Sequence, residues 1–290
     1  MTDAILVRAP ATSANLGAGF DCAAAAFDLW NEIEVTPSTG EPRVELAGEG
    51  ADELPTGPDH LALRAFALVT PIEGHRFRFV NRIPLERGLG SSAATVAAGV
   101  VAGLLASGQE VTPERVLEIG LPLEGHADNL AAAAYGGVCL IWRDETGSRA
   151  VRLADDLPLA AIAVVPSSRV NTNESRSRLP ATLTHGEATT AAAQAALLGA
   201  AVASGDATLF AASFHDVLHE PFRAPDAPLL DELRSNPVRG SAGVTLSGSG
   251  PTVVVWVEKD KAAQAAAEIQ SRHPDARVLS LGIAQQGASA

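Results

Sequence analysis

Residues 84–94 of this 290-residue chain read P-L-E-R-G-L-G-S-S-A-A, and the fold is read outward from them. Just upstream, Phe77, Phe79 and Ile83 alternate with Arg76, Arg78 and Arg82, the period-two pattern of a half-exposed strand that Pro84 brings to an end. Gly88 and Gly90 then allow backbone to approach a ligand closely, and Ser91 and Ser92 open an apolar helix expected to run to Ala106. The first turn of a helix carries N–H groups without partners and the positive end of the helix dipole. Behind a glycine turn, such an end is an anion site that needs no lysine. In isolation the same letters also fit a plain capped helix.

Lysine usage sharpens the point. Lys259 and Lys261 are the only lysines, and neither lies near a glycine-rich loop that opens a helix. A P-loop NTPase needs a lysine after its glycines and a protein kinase needs one on an early strand, so both are excluded, as is a pyridoxal-phosphate enzyme. A net charge of −13, from 21 basic and 34 acidic residues, argues against nucleic acid or an anionic membrane as partner. With 47% apolar and 19% charged residues the chain should form a well-cored globular protein. It has no apolar run long enough to span a bilayer and no signal-peptide pattern at its start. Cys22 and Cys139 have no metal-type spacing, which points to a reduced, cytoplasmic setting.

Hydrophobic patterning predicts strands at 4–9, 31–36, 43–46, 138–142, 160–165, 252–257 and 277–281. Helices are predicted at 59–69, from Pro113, at 187–203, 206–218 and about 260–272. The alanine runs AAAAF and TTAAAQAALLGAA read as helix by propensity. Strand, helix and strand after the strand at 160–165 suggest a split βαβ layer. The final GIAQQGASA looks frayed.

The stretch at 84–94 resembles the phosphate loop of the GHMP kinase family without a mismatch. The resemblance implies ATP as phosphoryl donor and an α+β, two-domain fold. Residues 1–157 would form a ribosomal-protein S5 domain 2-like unit with the ATP loop, and 158–290 a ferredoxin-like unit. It also implies ATP contacts at Pro84, Gly88, Leu89, Gly90, Ser91, Ser92, Ala93 and Ala94. The segment L-S-G-S-G-P-T at 246–252 resembles the family's third motif and adds Gly248, Ser249 and Gly250.

Four further segments are similar to the branch of that family that phosphorylates L-homoserine, a step of threonine biosynthesis. P-A-T-S-A-N-L-G-A-G-F-D at 10–21 is a strand followed by a glycine turn that presents Asn15 and Asp21. A carboxylate there suits an ammonium group better than a phosphate, although a turn with a capping Asp reads alike. E-G-H-A-D-N at 124–129 packs four polar groups ahead of an apolar helix. The resemblance gives Glu124, with Ser92, to Mg2+, and places His126, Asp128 and Asn129 at the acceptor. One carboxylate suffices for Mg2+, which also takes phosphate oxygens and water. Asn129 and Asp128 are the implied catalytic pair, Asp128 as a base or as a substrate anchor. N-T-N-E-S-R at 171–176 and H-E-P-F-R at 219–223 add Thr172, Arg176 and Arg223, whose guanidinium forks match a carboxylate. His215 and His219, four apart, would need a third ligand to hold a metal.

Two departures stand out. P-D-H-L at 58–61 replaces the family's P-x-x-N-L, which leaves the adenine contacts unassigned, and Phe222 stands where tyrosine is usual. The implied assembly is a homodimer. The alternatives are another GHMP kinase, acting on mevalonate or a diphosphocytidyl sugar alcohol, and a non-catalytic binding protein on the same scaffold. The first would leave Asp21 without an ammonium to read, and the second would have no use for a magnesium ligand.

Overall fold

The computed structural model describes residues 4–290. The chain runs β1 (Ile5–Asn15), β2 (Gly19–Pro37), β3 (Arg43–Gly48), α1 (Leu61–Ala67), β4 (His75–Asn81), α2 (Ser91–Ala106), α3 (Pro113–Glu124), α4 (Ala127–Tyr135), β5 (Val138–Asp144) and β6 (Gly147–Ala154). There follow β7 (Ala160–Val165), α5 (Thr172–Ser177), α6 (His185–Ser204), α7 (Ala207–Ala212), α8 (Glu220–Arg223), α9 (Pro228–Ser235), β8 (Ser241–Leu246), β9 (Val253–Val257), α10 (Ala262–Arg272) and β10 (Arg277–Leu281).

The first sheet has the order β3-β4-β2-β5-β6, with β1 paired to β2 beside that path. Its spine is the long β1–β2 hairpin, of which the sequence reading saw β1 and the outer end of β2 but not the alanine stretch between them. The alanine run was the obstacle. Ala23 to Ala25 pair with Val138 to Leu140 of β5, and Ala24 to Ala26 pair with Thr12 to Ala14 of β1. Ala24, Ala25 and Ala26 are fully buried. Small side chains leave a flat sheet surface on which α2 and α4 lie, so packing overrides alanine's preference for helix.

The second sheet has the order β10-β7-β9-β8 and is antiparallel throughout, the arrangement of a ferredoxin-like layer. β7 and β9 read as unbroken apolar runs because both their faces are covered. Ala161, Ala163, Val254 and Trp256 join the main core with Phe210 and Phe214. Ile162, Val164, Val253 and Val255 turn the other way, onto α9 and α10.

Two further expectations are corrected, and two strands were missed. The helix predicted at 206–218 stops at Ala212, because Asp216 turns inward and accepts hydrogen bonds from the backbone of Leu218, His219 and Glu220. β6 and β8 were not foreseen, their alternation being weak. The tail at 282–290 is not frayed. Arg8 and Ser289 exchange backbone hydrogen bonds at 2.9 and 3.0 Å, Ala284 N–H donates to Ala26 O at 2.9 Å, and Ala288 N–H donates to Ala133 O at 2.7 Å. Ala284 and Ala288 are buried against the main core. Removal of residues 282–290 should therefore lower Tm by about 5 °C or more, measured by calorimetry, a few kcal/mol spread over a chain of this size.

Candidate active site

Three glycine turns from distant parts of the chain meet at the start of α2. Thr12 N–H donates to Leu89 O at 3.1 Å, and Ser247 Oγ donates to Gly88 O at 2.6 Å while touching Ser13 Oγ at 2.9 Å. Gly248 N–H reaches Ala14 O at 3.1 Å. The contact is so close that a Cβ on Gly88 would fall 2.2 Å from Ser247 O, and one on Gly90 would fall 1.8 Å from Thr12 Oγ1. Both glycines also have positive φ, 77° and 64°. No side chain caps α2, so the amides of its first turn stay available.

These turns form the floor of a cleft of about 320 Å3. Most residues singled out in the sequence line it, from Asn15 and Asp21 through Pro84 and Gly88 to Ser92, Glu124, His126, Asp128, Asn129, Thr172, Arg176, Arg223, Gly248 and Ser249. Gly250 does not line it. The side chains of Ala93 and Ala94 face the core, so only their backbone could serve a phosphate. Asn15 spends its amide on the frame, donating to Gly248 O at 3.1 Å and accepting from Asp21 N–H at 3.2 Å. Asn15, Leu16 and Asp21 all hold positive φ, strain stored where the turn presents Asp21.

The charges in the cleft pair with each other. Arg176 and Asp21 form a two-pronged ion pair across 155 positions of sequence. Arg223 is 3% exposed, donates through Nη1 to Gly248 O at 3.0 Å, and leaves Nε buried without a partner. Burial, then the neighbouring Arg176, lowers its pKa. Both guanidinium carbons lie 5.4 Å from the ring centroid of Phe20, which the sequence reading passed over. Phe20 also stacks on His219, with centroids 5.2 Å apart.

At the head of α2, Ser92 Oγ donates to Glu124 Oε2 at 2.7 Å. Burial raises the Glu124 pKa against the Ser92 bond that lowers it. Asp128 is pushed up chiefly by burial, with Asp21 near enough to add to the rise. Asp128 Oδ1 accepts from Asn129 N–H at 2.7 Å, and Thr12 Oγ1 donates to Asn129 Oδ1 at 2.7 Å. Among the described residues no group of three or more His, Cys, Asp or Glu is arranged to hold a metal ion by itself, and exposed His215 and buried His219 do not share a helix. The donor set at Glu124 and Ser92 fits a hard cation that takes one carboxylate and completes its shell with phosphate oxygens.

A second cleft adjoins the first through Glu86, Ser91 and Ser92. Leu54, Pro55, Leu61 and Leu85 give it apolar walls, and His60 lines it. His60 stands at the position where the sequence departs from the family pattern. Its Nδ1 accepts from Ala62 N–H at 3.3 Å, capping α1, and its ring packs on Phe79. Glu53 and Arg169 bond in two places at the cleft mouth, both at 2.7 Å.

Comparison with known proteins places this geometry. Residues 60–137 match the GHMP kinases N terminal domain and residues 197–275 match the GHMP kinases C terminal domain. The chain belongs to the GHMP kinase family. Its relatives there include a homoserine kinase of Streptomyces coelicolor, 34% identical over 99% of this chain and 94% of that protein. One from Deinococcus radiodurans is 38% identical over 86% of this chain and 83% of the relative. The crystal structure of homoserine kinase from Cytophaga hutchinsonii superposes with a TM-score of 0.89 at 26% identity, covering 100% of this chain and 98% of that one. A mevalonate kinase structure shares the fold, with a TM-score of 0.73 at 16% identity.

Two buried histidines give the site a pH dependence. Burial lowers His60 from its ordinary 6.5 to about 4, and burial likewise lowers His219 to about 4. Between those values the unfolded histidines bind more protons than the native ones, so their contribution to stability is full above 6.5 and is lost as pH falls towards 4. Glu220, raised by burial to about 7, works in the opposite direction over the same window, so the measurement is a difference: from pH 7 to pH 4.5, Tm of wild type should fall relative to that of His60→Asn.

Proposed function

We infer that the chain phosphorylates L-homoserine with ATP, giving O-phospho-L-homoserine and ADP, a step of threonine biosynthesis. One observation carries the reading: a lysine-free anion site at the head of α2 opens into the same cleft as Asp21, Arg176 and a buried Arg223 with an unpartnered N–H. A zwitterion carrying a hydroxyl group fits that set of charges, and mevalonate, which has no ammonium, does not.

The polyphosphate would lie on the amides from Gly88 to Ser92, and the base in the adjoining apolar cleft. Glu124 and Ser92 would hold Mg2+, which neutralises phosphate charge when bound. Asp21 would receive the ammonium, with Asp128 beside it as an anchor, and Arg176 and Arg223 the carboxylate. The homoserine hydroxyl oxygen would form its bond to the γ-phosphorus as the bond to the ADP oxygen breaks, and the hydroxyl proton would pass to an oxygen of the transferred phosphoryl group and from there to water. Such transfer depends on alignment and charge neutralisation more than on covalent help. Asn129, held by Thr12, would fix the hydroxyl. The reading divides the chain into units at 1–157 and 158–290 and includes a cytoplasmic homodimer. The free thiols of Cys22 and Cys139 support the compartment. Among the described residues no helix is long and apolar enough to cross a membrane.

ADP release measured with homoserine, 4-hydroxybutyrate and mevalonate tests the substrate. Homoserine should exceed 4-hydroxybutyrate by roughly 10- to 150-fold in kcat/KM, the scale of one charged hydrogen bond, and equal rates with mevalonate would overturn the assignment. Glu124→Ala should cut turnover at least ~10²-fold while leaving homoserine binding in place, and normal turnover at limiting Mg2+ would remove Glu124 from the site.

A further inference from the structure

His219 is fully buried, and the chemistry just described makes no use of it. Its ring joins three parts of the acceptor site. Nε2 lies 3.0 Å from Gly17 O, in the strained turn that ends at Asp21. Nδ1 lies 3.4 Å from Arg223 Nη1. The ring face stacks on Phe20, whose other contacts are the two guanidinium groups. A carbonyl can only accept and a guanidinium can only donate, so the two partners together fix one tautomer: Nε2 carries the proton and Nδ1 the lone pair. Asp216 holds the backbone of this segment by accepting from His219 N–H and Glu220 N–H, both at 2.7 Å.

We propose that His219 is a positioning residue that holds the ammonium-reading turn and the carboxylate-reading Arg223 at the separation that matches one substrate backbone. The proposal rests on the homoserine reading and deepens it. His219 reaches both Gly17 O and Arg223, and a neutral ring between them adds no charge to compete with the substrate. The histidine thus sets the spacing between the two groups that read opposite ends of the amino acid.

The test uses wild type, His219→Leu and His219→Gln with homoserine, homoserine amide and 4-hydroxybutyrate, with Tm measured alongside. Leucine removes both bonds. Homoserine KM should rise roughly tenfold, the worth of a hydrogen bond to a charged group, with KM for ATP unchanged. The preference for homoserine over each analogue should fall. Glutamine keeps a donor near the Nε2 position and loses the acceptor towards Arg223. Its preference over homoserine amide should fall while its preference over 4-hydroxybutyrate is kept, and this asymmetry carries the test even if the leucine variant does not fold. A variant that lowers Tm but leaves both preferences at wild-type values reduces His219 to a core residue and overturns the proposal. A wild-type enzyme with no preference for homoserine overturns the substrate reading, and the proposal with it.

Discussion

The amide end of α2 can receive an anion only because the loop before it is clamped from both sides. Thr12 from β1 and Ser247 from the turn after β8 press on Gly88 and Gly90 with no room for a Cβ at either glycine. The clamp joins both sheets, since Thr12 belongs to the first and Ser247 follows the second. Each hydroxyl is fully buried and bonded to the loop or to its neighbours. The helix dipole and four unpartnered amides would have no fixed direction without this frame, and a substrate cleft between two moving sheets would have no fixed width.

On the proposed reading, the clamp also lets an acidic protein take an acidic ligand. The phosphates would lie on backbone N–H groups instead of lysines, so the positive potential is local and dipolar. The guanidinium groups sit apart, around Phe20 and against the glycine turns, where a carboxylate fits. On the proposed reading, segregating the two kinds of positive group within one cleft would give it an orientation, with phosphates at one end and the amino acid at the other. The Phe20 ring, 5.4 Å from both guanidinium carbons, gives each of them a cation–π contact.

What the sequence revealed and what it hid follow from range. The glycine-serine turns were legible because each is a local pattern with a local cause, and all three fall on the floor of the cleft. The continuous apolar runs of β7 and β9 were legible for the same reason. The alanine strand of β2 was misread because the surface that selects it comes from α2 and α4, more than 60 and 100 residues further on. The tail was misread because its partners are Arg8, Ala26 and Ala133. The Asp21–Arg176 pair was hidden for a different reason. Each residue was picked out for its own substrate charge, and no spacing rule says that two readers of opposite charge will meet.

On the proposed reading, that pair would change what substrate affinity measures. Asp21 and Arg176 neutralise one another, so a zwitterion would trade one internal ion pair for two external ones, and its own solvated charges for a protein lining. The free energy of capture is then the difference between two nearly balanced sets of contacts, much smaller than either set alone. Simple ions are poor competitors for such a site, because each offers one sign and must strand the opposite charge to enter. Discrimination against stray anions and cations would therefore follow from the pairing itself, obtained by self-neutralisation at the cost of tight binding.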